Sequence, residues 1–142
     1  MALKKTQLLP ITSVVGVQTV GIYTAGLTAT SVGVGTTSYV KSIIMHNAGA
    51  AANHAGLGTA RVGVYIYPNT GVTDRVSGVG NSSYRILQID LAPNETSFFE
   101  SNYPLVLAPF NAIAVDVKQP DTGGSGVGTA VNFIINGDTE TP

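Results

Sequence analysis

Cysteine and tryptophan are absent from this 142-residue chain, and only two residues are histidine. Without cysteine there is no disulfide, no thiolate metal site and no thiol chemistry. Charge is scarce too, at 11% Asp, Glu, Lys and Arg against about 25% in an average soluble domain. That leaves few groups for acid–base or nucleophilic work and too little charge to cover a monomer in the ordinary way. Seven basic and eight acidic residues give a formal net charge of −1. Only Lys4 and Lys5 among the basic residues are adjacent. A nucleic-acid binder displaces counterions with clustered Lys and Arg, so no nucleic-acid partner is expected. Long apolar runs are missing, which argues against a membrane-spanning helix. The segment Met1 to Thr6 lacks the apolar stretch and small-residue cleavage site of a secretory signal.

What is present is glycine, 17 residues of it, with many β-branched side chains. Both favour strands joined by turns. The length suits one domain with one hydrophobic core. From Thr37 onward short β-prone runs alternate with turn clusters, as in an all-β sandwich or barrel. The run Tyr39 to His46 ends in Asn47-Ala48-Gly49, and Ala60 to Tyr67 ends in Pro68-Asn69-Thr70-Gly71. In the second run Val62, Val64 and Ile66 share one face, while Arg61, Gly63, Tyr65 and Tyr67 share the other and are expected to look outward. Tyr84 to Leu91 directs Leu87, Ile89 and Leu91 inward and is followed by a turn and the strand Thr96 to Glu100. Asn111 to Lys118 places Ile113, Val115 and Val117 inside, with Asp116 and Lys118 outside. Thr129 to Asn136 buries Val131, Phe133 and Ile135.

The first third is less regular. Ser13 to Thr24 reads as one or two strands weakened by internal glycines. Met1 to Pro10 has no periodicity and is expected to be an extended arm or a frayed tail. The expected organisation is an arm over residues 1–11, a single antiparallel β-sandwich domain over 12–138 and a C-terminal tail over 139–142. Strand order is invisible to periodicity, so a jelly roll and an immunoglobulin-like Greek key both remain open at this point. Ala48 to Thr59, Thr70 to Ser83 and Gln119 to Gly128 read as loops.

The search for chemistry returns no catalytic constellation, no cofactor and no metal site. His46 and His54 match neither the helical His pair of zinc proteases nor a zinc-finger spacing. No Gly-x-Ser-x-Gly occurs, and neither His is tied to a carboxylate. Asp90, Glu95 and Glu100 fall at strand ends and turns, where carboxylates face solvent. Asp74, Asp121 and Asp138 lie among turn residues without the dense oxygen ligands of a calcium loop. Gly123 to Gly128 lacks the Lys and Ser/Thr of a phosphate loop and precedes a strand. Asn81-Ser82-Ser83 and Asn94-Glu95-Thr96 fit the N-glycosylation pattern only as short triplets. Tyr65 and Tyr67 are the most informative side chains, able to stack on sugars, to anchor a protein interface, or to pack across strands.

An ordered series of segments carries a further signal: Tyr39 to Asn47, Val62 to Asn69, Tyr84 to Thr96, Glu100 to Leu107, Ala112 to Val115 and Val131 to Asp138. Together they resemble a family of small virion structural proteins of tailed bacteriophages, marine and cyanobacterial phages above all. The resemblance spans residues 37–138 and rests on order and spacing, with no single diagnostic motif. It implies a jelly-roll-like β-sandwich with no enzymatic role, made in a bacterial host's cytoplasm and located in the virion. The implied role is a capsid decoration (cement) protein, with the major capsid protein or other virion proteins and further copies of itself as partners. Neck, tail or fibre parts are the alternative station. The Ala48 to Thr59 loop departs from the family pattern and would be an added contact element. Contacts are expected from Lys4, Lys5, Leu8 and Leu9 in the arm and from Tyr65 and Tyr67. In a different class, a carbohydrate-binding module for host attachment, Tyr65, Tyr67 and Tyr84 would form the stacking platform.

Overall fold

Alternation of large apolar and small polar residues every second position governs most of this chain. The computed structural model turns it into eight strands and describes residues 2–26, 35–49, 58–68, 82–120 and 129–141. The strands are β1 (Ala2–Val14), β2 (Gly16–Thr24), β3 (Thr37–Asn47), β4 (Ala60–Tyr67), β5 (Arg85–Leu91), β6 (Thr96–Leu107), β7 (Ala112–Lys118) and β8 (Val131–Thr141). A 3-10 turn at Ser82–Tyr84 leads into β5. No α-helix occurs among the described residues. Expectation and structure agree on an all-β antiparallel sandwich; its two sheets are four-stranded, ordered β1-β8-β3-β6 and β2-β7-β4-β5. The pairs β1 with β8, β2 with β7, β3 with β6 and β4 with β5 are nested one inside the next.

The inner faces meet in one core. Val40, Ile43, Met45, Val131, Phe133 and Ile135 of the first sheet pack with Val62, Val64, Leu91, Ile113, Val115 and Val117 of the second, all fully buried. Each such side chain contributes about 1.5–3 kcal/mol by leaving water. The inward positions expected in β4, β7 and β8 are those found, with Ile66 of β4 half-buried against the core. Side-chain hydrogen bonds join the sheets as well: Tyr23 of β2 meets the buried Ser38 of β3 at 2.6 Å, and Asn47, at the end of β3, donates to the Leu91 carbonyl of β5 at 3.0 Å.

The N-terminal segment requires a correction. Ala2 to Pro10 is neither arm nor tail but most of β1, the edge strand of the first sheet, paired with β8 from Ala2 opposite Thr141 to Val14 opposite Val131. The sandwich therefore begins before residue 12, and the expected tail after 138 is the end of β8. Periodicity failed here because the register shifts twice, between Gln7 and Leu9 and between Leu9 and Thr12. Each shift moves the following side chains to the other face. Pro10 sits within the second shift, on an edge strand, where a missing N–H is tolerated. After Val15 the chain crosses to the other sheet through Gly16, whose φ of 133° a side chain would resist.

Candidate functional site

Each outer sheet face is a candidate surface, and the two differ. On the second sheet, β4 and β7 pair Arg61 with Lys118, Gly63 with Asp116, Tyr65 with Ala114 and Tyr67 with Ala112. Beyond the Arg61–Lys118 pair, small residues lie opposite large ones. Any side chain at Gly63 would collide with the Asp116 carboxylate and the Tyr65 ring. Tyr65 and Tyr67 stack at 6.2 Å between ring centroids, and the 3-10 turn brings Tyr84 to 5.0 Å from Tyr67. The three tyrosines thus come together as the sequence suggested. They do not form a platform, however, because Tyr65 and Tyr67 are only 1% and 9% exposed. Alternation names the face a side chain takes but not whether that face is covered.

Asp116 was expected to face solvent, and this too is corrected: it lies on the outer face yet is 1% exposed. A buried carboxylate persists only when its lone pairs are used. One oxygen accepts the Gly63 N–H at 3.1 Å. The other accepts the Tyr65 hydroxyl at 2.8 Å and the Lys118 ammonium at 3.1 Å. Arg61, directly opposite Lys118, pairs with Asp90 at 2.8 and 3.1 Å, so two like charges sit side by side with a carboxylate each. Arg61 holds the Asp90 carboxyl below its ordinary range, chiefly by hydrogen bonding.

Burial pushes the Tyr65 phenol up to about 12, with the hydrogen bond and charge of Asp116 adding and Arg85 opposing. The folded state therefore favours the neutral phenol. Its contribution is complete below the unfolded value of 10.0 and is lost as pH rises through about 12. The Tyr39 phenol is raised too, by its hydrogen bond to Glu140, so the absorbance titration is made in a Tyr39→Phe background. There one tyrosinate step should come late and vanish when Tyr65→Phe is added, while stability in urea falls across that same interval. A late step that survives in the double variant would refute this assignment.

The remaining expected residues scatter. Lys4 and Lys5 are exposed on β1, Lys5 opposite Asp138. Leu8 is half-buried against the core, and Leu9 belongs to it at 9% exposure. These two leucines are packing residues, unavailable to a partner. The His46 ring meets the Thr96 hydroxyl at 2.7 Å, and Asp138 is held by Lys41 at 2.9 Å. No group of three His, Cys, Asp or Glu among the described residues could hold a metal ion. His54, Asp74, Asp121, Asn81, the glycine run from Gly123 to Gly128 and most of the three expected loops lie outside the described residues.

Sequence reasoning missed the outer face of the first sheet. Leu3, Ile11, Phe98, Tyr103 and Val106, on its edge strands β1 and β6, are between 56% and 85% exposed. The signal was there in Thr96-Ser97-Phe98-Phe99, where two adjacent aromatics in a strand must point to opposite faces. Among the described residues no helix is long and apolar enough to cross a membrane. The class defined by fold and surface is an all-β sandwich with one outer face buried at its centre and one open, partly apolar one. No family model, curated protein or solved structure matches the chain.

Proposed function

We propose that the chain is a structural assembly subunit and, specifically, a virion decoration protein that binds the lattice of the major capsid protein. The observation that carries this reading is the open outer face of the first sheet, where exposed large apolar side chains stand on a rigid sandwich. Such a patch marks a contact surface. The nested strand order supports the finer inference that the sandwich is an eight-stranded jelly roll, an architecture used by viral capsid and lectin domains. Fold alone serves many functions, so the virion station rests on the ordered segments from Tyr39 to Asp138 that resemble phage virion proteins. Scarce charge suits a docking role over an enzymatic one. On a dense lattice, weak individual contacts suffice because they act together. The carbohydrate-binding alternative loses support from the burial of Tyr65 and Tyr67.

Quantitative mass spectrometry of purified virions tests the reading by the ratio of this chain to the major capsid protein. Hundreds of copies per particle are expected. A few to a few tens would move the protein to the neck, tail or fibre, and absence from the particle would overturn the proposal.

A further inference from the structure

Four apolar side chains stand at one level across all four strands of the first sheet, on its outer face. Ile44 of β3 is directly opposite Ile134 of β8 and Phe98 of β6. Ile11 of β1 falls in the irregular stretch facing Ile134, between the pairs Leu9 with Ile135 and Thr12 with Phe133. Ile11 is 67% exposed and Phe98 59%, and none of the four belongs to the core. The next level toward one end of the sheet is Ser13, Asn132, His46 and Thr96, and toward the other Gln7, Asn136, Ser42 and Glu100. An apolar band is thus bordered on both sides by hydrogen-bonding side chains.

We propose that this face docks against the same face of a second copy, forming a two-fold sheet-on-sheet dimer. In such an isologous contact the band meets itself, and the polar rows beside it meet polar rows. Charge favours self-pairing over a strongly charged partner. Both signs occur on the face: Lys41 is paired with Asp138 at 2.9 Å, Glu140 accepts the Tyr39 hydroxyl at 2.7 Å, and Glu100 stands in the polar row beside the band. Two copies therefore meet without a field of one sign to repel them. Size agrees as well: four strands at about 4.8 Å spacing over roughly 30 Å of length give close to 600 Å² per copy. Doubled, that reaches the lower end of stable interfaces, about 1,200 Å². The other sheet offers no equivalent, since the centre of its outer face is already buried.

The dimer would occupy the face that carries the assembly reading and leave capsid contacts to its other surfaces; it is tested apart from that reading, by sedimentation of the full chain in solution. The wild-type protein is expected to sediment as a dimer at micromolar concentration. The double variant Ile11→Glu, Phe98→Glu should weaken the dimer on the order of 100-fold while keeping its melting transition, since both positions are exposed. Ile86→Glu, 43% exposed on β5 of the other sheet, should leave the dimer intact. A wild-type monomer at high micromolar concentration would overturn the proposal. So would a dimer that survives the double variant, or one that Ile86→Glu dissociates equally. None of these outcomes bears on the copy number in virions.

Discussion

Replacing Asn47 with Ala is expected to lower the unfolding free energy by about 3–5 kcal/mol, a large share of the 5–15 kcal/mol typical of a domain. Asn47 closes β3 and is fully buried. Its amide uses its whole hydrogen-bonding capacity. The nitrogen donates to the carbonyls of Leu91 at 3.0 Å and Gly58 at 3.3 Å. The oxygen accepts the Gly49 N–H at 3.0 Å and the Thr129 hydroxyl. Leu91 and Gly58 belong to the second sheet and its approach, whereas Thr129 leads into β8 of the first. One side chain thus fastens both sheets at one end of the sandwich. The Asn47 backbone adds bonds to Asn94 and Glu95 in the β5–β6 turn, both at 2.9 Å. Ala would strand the Leu91 carbonyl and the Thr129 hydroxyl, each at about 1–3 kcal/mol when buried, and would loosen Gly49 and Gly58. Asn47→Asp should be no better, because its second oxygen would face the two carbonyls. Urea denaturation measures both; a loss under 1 kcal/mol in Asn47→Ala would mean that the ends of the sandwich hold without this bridge.

How far the sequence was legible depended on whether local pattern or distant pairing decided the outcome. Val62 and Val64, or Val131, Phe133 and Ile135, could be assigned to the core by counting in twos, because the neighbouring strands follow the same period and register holds. Asn47-Ala48-Gly49 reads equally well as an ordinary turn. Nothing local says that Leu91 and Thr129, 44 and 82 residues away, converge on that amide. β1 was lost for a related reason, since its two register shifts answer to β8, more than a hundred residues later. Strand order, set wholly by such pairings, had no sequence signal at all. The outer faces were half legible: the side of the sheet that Tyr65, Tyr67 and Asp116 take was right, and their exposure was not.

Asp116 turns that half-legibility into the second large expectation. Asp116→Ala should cost about 2–4 kcal/mol. It leaves the Gly63 N–H and the Tyr65 hydroxyl buried without their acceptor, and opens a void beside Gly63 where no side chain stands to fill it. Lys118, at 23% side-chain exposure, can turn its ammonium to water, which keeps the loss below that of a sealed ion pair. It would then lie beside Arg61 with only Asp90 to offset the two charges. Asp116→Asn separates these contributions. It keeps the shape and one carbonyl acceptor but removes the charge, so stability should fall less than in Asp116→Ala. The late tyrosinate step should move toward lower pH in both variants yet stay above the ordinary phenol range, because burial, the largest cause of the shift, remains. A Tyr65 step unmoved by either variant would show that burial alone sets it. The Asp116 carboxylate would then serve Gly63 and Lys118, and the tyrosines would owe their place to Ala112 and Ala114 beneath them.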